Sequence, residues 1–115
     1  MRPIPVKLRD EIANDPFYKR CCITGSFDVS WEHCWTYGKN GQINEKWAIV
    51  PLRRDLNTSH PPIDVKEKCR LISLLRATPE DLAKYPKKDW EQLLKYLSNK
   101  YHEIWQKNKS NSINS

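Results

Sequence analysis

The stretch Ser30-Trp31-Glu32-His33-Cys34-Trp35, the turn signal Asn40-Gly41 and the run Trp47-Ala48-Ile49-Val50-Pro51-Leu52 decide how this chain is read. Two segments rich in aromatic and branched residues flank a dipeptide that tolerates the positive φ angles of a tight turn. They predict an antiparallel hairpin, with strands over Ser30 to Trp35 and within Ile43 to Leu52. Pro51 places the end of the second strand, or a sheet edge, at that point. Successive side chains of a strand face opposite ways, so Glu32 and His33 do not share one core.

Helical signals surround the hairpin. Leu8 and Ile12 mark a short helix from Val6 to Asn14, which Asp15-Pro16 ends. Cys21 to Thr24, bounded by Gly25-Ser26, reads as a strand or an extended segment. Arg53 to His60 is polar and suits a helical turn or short helix, which Pro61-Pro62 stops. Asp64 to Arg76 sets Val65, Cys69, Ile72 and Leu75 on one face behind Asp64 as N-cap. Thr78-Pro79-Glu80-Asp81 opens another short helix. From Lys88 onward, Trp90, Leu93, Leu94, Leu97, Tyr101, Ile104 and Trp105 keep the spacing of one long amphipathic helix. Residues 108–115 are polar and predict a disordered tail.

The 115 residues fit one domain, 1–107, of α+β class. No apolar run is long enough for a membrane span, and no secretion-type leader is evident, which predicts a cytoplasmic protein without a membrane partner. Twenty basic and 14 acidic residues give a net charge of +6, suited equally to a polyanionic partner and to a solvated basic surface. Cys21, Cys22, Cys34 and Cys69 contain no C-x-x-C pair, so reduced, partly buried thiols are expected; Cys21 or Cys22 with Cys34 is the alternative metal set.

A carboxylate beside an imidazole is the pairing a small metal-dependent hydrolase needs. Histidine, with an ordinary pKa near 6.5, serves as a base at neutral pH. Glu32 on the neighbouring face is a hard oxygen ligand, and Asn57 or His60 would add a second ligand from the following segment. A strand histidine is also often a plain hydrogen-bonding residue.

Cys21-Cys22-Ile23-Thr24-Gly25, Trp31-Glu32-His33 and Ile43-Asn44-Glu45-Lys46-Trp47-Ala48-Ile49-Val50-Pro51-Leu52 together resemble the HNH endonuclease family, in its small phage type. The resemblance covers residues 20–62, with a helical extension over 64–107. It implies a ββα-metal (His-Me) finger preceded by an N-terminal helix, in which a hairpin and a following helix clasp one divalent ion. Mg²⁺ or Mn²⁺ is implied first, with Zn²⁺ and Ni²⁺ as alternatives. His33 matches the general base and Glu32 the metal ligand beside it. Ala48 occupies the place of the Asn that orients the base, and Asn44 is its candidate substitute. The last ligand is Asn57 or His60, with His60 preferred. Arg53-Arg54-Asp55-Leu56 stands where a zinc-binding pair would be, so no structural zinc is expected. Arg53 and Arg54, with Lys39, are the candidate phosphate contacts.

The function implied is hydrolysis of phosphodiester bonds in DNA, double-stranded first, by an endonuclease or nickase inside a bacterial or phage-infected cell. A monomer and a homodimer both suit the long helix. The competing reading keeps the fold but not the catalysis, as a nucleic-acid- or protein-binding module such as a phage factor acting on host machinery.

Overall fold

In the computed structural model, which describes residues 4–58 and 61–114, two short strands lie against a set of helices in an α+β arrangement. Helix α1 (Val6–Ala13) leads through a 3₁₀ turn, Pro16–Lys19, to strand β1 (Val29–His33). Strand β2 (Ile49–Arg53) returns antiparallel to it, and four helices follow: α2 (Ile63–Arg76), α3 (Pro79–Ala83), α4 (Trp90–Lys100) and α5 (His102–Asn114).

The pairing runs from Val29 opposite Arg53 to His33 opposite Ile49. Residues facing each other across a pair share a face of the sheet. Val50 and Leu52 join the main core, which is built on Val65, Cys69 and Ile72 of α2. Ile49 instead packs with Ile12 and Tyr18, beneath α1. The sheet is thus covered on both faces, and β2 is buried along nearly its whole length while β1 stays half-exposed. Pro51 costs this ladder no hydrogen bond. Its carbonyl accepts from the Cys22 N–H (3.0 Å), so the backbone at Pro51 points away from β1.

The connection between the strands departs from a tight hairpin. The second strand occupies only the end of the expected Ile43 to Leu52 stretch, because Lys46–Ala48 forms a 3₁₀ turn ahead of it. Beyond it, pairing resumes with Thr36 opposite Gln42, three residues past His33 on one arm but seven before Ile49 on the other. The Asn-Gly dipeptide does not make a two-residue turn. A 3₁₀ turn, Gly38–Asn40, carries the chain round, and Gly41 with φ 79° and ψ −139° re-aims it. The Tyr37 N–H closes this tip on the Gly41 carbonyl at 2.8 Å.

Cys21 to Thr24 is a turn rather than a strand, with the Gly25 N–H on the Cys21 carbonyl (2.9 Å) and the Thr24 N–H on Cys21 Sγ (3.4 Å). After β2 the chain makes one turn in which the N–H groups of Leu56 and Asn57 both reach the Arg53 carbonyl. Helix α2 starts one residue earlier than expected, with Pro62 rather than Asp64 at its cap. It buries more than the anticipated stripe, including Leu71, Leu74 and Ser73, because β2, α4 and α5 surround it. Each fully buried leucine there contributes roughly 1.5–3 kcal/mol. Thr78 and Asp81 form the capping box of α3.

The long C-terminal helix is two helices. Tyr101, at φ −121° and ψ 54°, leaves the helical region, and its hydroxyl donates to Glu67 on α2 at 2.8 Å. Helix α5 then runs on through the segment expected to be a disordered tail. Within the core, Trp35 meets Trp90 edge to face (5.1 Å between ring centres), and Trp90 meets Trp47 (5.8 Å). Among the described residues, no helix is long and apolar enough to cross a membrane.

Candidate active site

Glu32 and His33 occupy the last two positions of β1, where its outer edge is uncovered. Glu32 lies opposite Val50 and so on the α2 side. His33 lies opposite Ile49, on the α1 side. Two clefts meet along this edge, and Glu32, His33, Gln42 and Asn57 line both. One, of about 360 Å³, runs toward α2; the other, of about 670 Å³, runs toward Arg9 on α1.

His33 Nε2 lies 2.7 Å from Asn44 Oδ1. An amide oxygen only accepts, so Nε2 is the donor in this contact, and in the neutral ring the lone pair is then on Nδ1. The displaced register makes this contact. In a continuous ladder Asn44 would sit several residues beyond His33's partner Ile49, but the Lys46–Ala48 turn folds residues 43–48 back toward the imidazole. Ala48 is fully buried and contributes its carbonyl to the Cys34 N–H (2.9 Å), with no side chain to orient a base.

Burial pushes the Glu32 carboxyl upward from its ordinary pKa, against the opposing pull of Lys66 and Arg70. Both cations line the α2 cleft. Asn57 sits just past β2, not on a helix, and its amide nitrogen donates to Ser30 Oγ (2.7 Å) and reaches the Trp31 carbonyl (3.4 Å). These bonds hold it along the free edge of β1. His60, the preferred last ligand, lies outside the described residues.

Among the described residues, His, Cys, Asp and Glu side chains do not gather in threes able to hold a metal. A metal here would need amide oxygens, and one stands ready. Gln42 lines both clefts with Glu32, and its Oε1 is buried without a hydrogen-bond partner among the described residues. Leaving such an acceptor unsatisfied costs about 1–3 kcal/mol, which a cation or a donor from a ligand would offset. A carboxylate with two amide oxygens suits a hard ion such as Mg²⁺ or Mn²⁺ better than Zn²⁺ or Ni²⁺.

No family model, curated protein or solved structure matches this chain. What the site can do follows from its own geometry.

The expected phosphate contacts lie differently. Arg53 is paired with Asp55 (2.5 Å) and Arg54 with Asp28 (2.9 Å). Arg54 still borders the α1 cleft, whereas Arg53 and Lys39 border neither cleft, Lys39 standing exposed on the Gly38–Asn40 tip. Reading the sequence misses Gln42, Lys66 and Arg70. Lys66 and Arg70 carry a usable signal, two cations four apart and each one residue past an apolar-stripe position, Val65 and Cys69. Gln42 carries none, because only the displaced pairing brings it to the edge. The four cysteines are free thiols. At Cys21, N–H donors led by Thr24 outweigh burial and lower the thiol pKa, while burial raises that of Cys34.

Proposed function

We propose that this chain is a metal-dependent phosphodiesterase acting on DNA, an HNH-type nuclease whose β1, β2 and α2 serve as a ββα-metal finger. The observation that carries this reading is the His33–Asn44 contact at an open cleft beside a carboxylate. It supplies an oriented imidazole base, and it does so from a position that makes good the loss of a side chain at Ala48. His33 Nδ1 takes a proton from a water, the resulting hydroxide forms a bond to phosphorus, and the bond to the leaving oxygen breaks. That oxygen then acquires a proton from solvent. Glu32, Gln42 and Asn57 are the residues that would hold a divalent ion. Bound there, it would supply positive charge to the scissile phosphate and to the leaving oxygen.

The competing reading, a binding module with a degraded site, draws on the absence of a third ionisable ligand among the described residues. Supercoiled plasmid incubated with Mg²⁺ or Mn²⁺, beside a His33→Ala control, separates the two. Cleavage that requires metal and falls about 100- to 10,000-fold in the variant is expected of a general base. Equal inertness of both proteins, with DNA still retarded on a gel, would transfer the assignment to the binding module.

A further inference from the structure

We infer that Lys66 and Arg70 form the phosphate clamp of this site, in place of Arg53, Arg54 and Lys39. The inference rests on the proposed function for the identity of the ligand, a DNA backbone, and it names a surface that the sequence reading does not include. Lys66 and Arg70 are four apart on α2, so they stand one above the other on the same helical face. That face forms a wall of the cleft shared by Glu32, His33 and Asn57. Among the described residues, neither cation enters an ion pair within 4 Å, unlike Arg53, Arg54, Lys68 and Lys100.

The two cations are prepared differently. Arg70 is held in place, its Nε donating to the Cys34 carbonyl at 3.2 Å while its guanidinium lies over the Trp35 ring, 5.4 Å from the centre. A guanidinium fixed through Nε keeps its two terminal nitrogens for a forked contact with phosphate oxygens. Lys66 is exposed at the cleft mouth and acts as a mobile point charge. Both act at a distance on the Glu32 carboxylate, without a close ion pair to occupy them. A polyanion entering the cleft would meet these cations on a wall it shares with Glu32 and His33. The opposite cleft offers Arg9 on its wall, so a backbone crossing the edge of β1 would meet positive charge on either side.

The test measures binding separately from cleavage. His33→Ala protein spanning residues 1–115 is titrated into a fluorescently labelled DNA duplex in EDTA, from 50 to 200 mM salt, and anisotropy is read. Adding Lys66→Ala should weaken binding on the order of fivefold and reduce the slope of log affinity against log salt by about 0.9, the loss of one phosphate contact. Arg70→Lys, which keeps the charge but not the fork, should weaken binding with the slope unchanged. Lys95→Ala, an exposed cation on α4 away from both clefts, controls for net charge and should change neither value. Lys66→Ala and Lys95→Ala giving the same affinity and slope would overturn the clamp, as would failure of the parent protein to bind DNA at 50 mM salt. Undiminished plasmid cleavage by His33→Ala would sink the proposed function alone, leaving a Lys66-dependent salt slope as support for the clamp.

Discussion

Asn44 decides how the His33 imidazole is presented for its proposed role as a base. Its amide oxygen fixes the protonated nitrogen of the ring and so determines which nitrogen can take a proton. Removing it leaves the imidazole free to rotate and to change tautomer, without disturbing the surfaces proposed to bind DNA. Asn44→Ala should therefore lower kcat about 10- to 100-fold, the usual cost of losing a group that orients a reacting residue. Its KM for DNA should be unchanged in steady-state kinetics. An unaltered kcat would remove Asn44 from the mechanism. Glu32 is governed by its surroundings in another way: burial favours its neutral form, and the nearby Lys66 and Arg70 favour the charged form that a metal needs.

Among the elements, the arm joining β1 to β2 matters most, since it carries both Gln42 and Asn44 to the edge of β1. Its shape depends on Gly41, whose φ of 79° with ψ of −139° falls where side chains other than glycine are strained. Space is not the constraint, because nothing lies within 4 Å of a Cβ built there. Gly41→Ala should cost about 1–3 kcal/mol of backbone strain, seen as a lower urea midpoint. It should also lower kcat as the His33–Asn44 contact loosens. A variant as stable and active as the parent would show that the arm adopts this turn without help from glycine. Helix α2 is the other element on which the proposed function depends. One side closes the core, and a second presents Lys66 and Arg70 to the cleft.

At the scale of the molecule, Glu67 ties that helix to the C-terminal pair. It is buried on α2 and accepts from Lys100 Nζ and from Tyr101 Oη, both at 2.8 Å, where α4 gives way to α5. The bond from Lys100 first, and that from Tyr101 second, hold its carboxyl below the ordinary glutamate value. A folded pKa below the unfolded one gives stability that is complete above the unfolded value, about 4.3, and is lost as pH falls through the folded value. Urea unfolding between pH 5 and pH 2 should show stability falling with acid, and Glu67→Gln should flatten part of that fall. Parallel curves for the two proteins would mean that this contact does not bind α2 to α4 and α5.

The local patterns were legible in the chain. The antiparallel pairing, the placement of Glu32 and His33 on opposite faces, the helix start at Thr78-Pro79 and the apolar stripes of α2 and α4 all follow from side-chain period and capping chemistry, which act over a few residues. The break at Tyr101 was not legible, because it depends on a hydroxyl reaching Glu67 on another helix. The displaced strand register was hidden for the same reason. Asn-Gly permits a tight turn, but packing of Trp47 against Trp90 and Tyr85 accompanies a 3₁₀ turn at Lys46–Ala48 that absorbs the extra residues. That displacement brings Asn44 to His33 and Gln42 to the clefts that Glu32 lines. Sequence alone thus determined that Glu32 and His33 stand side by side and which strand bears them. Only tertiary structure decided which residues surround them, since those neighbours arrive from the arm, from α2 and from the turn after β2 through contacts distant along the chain.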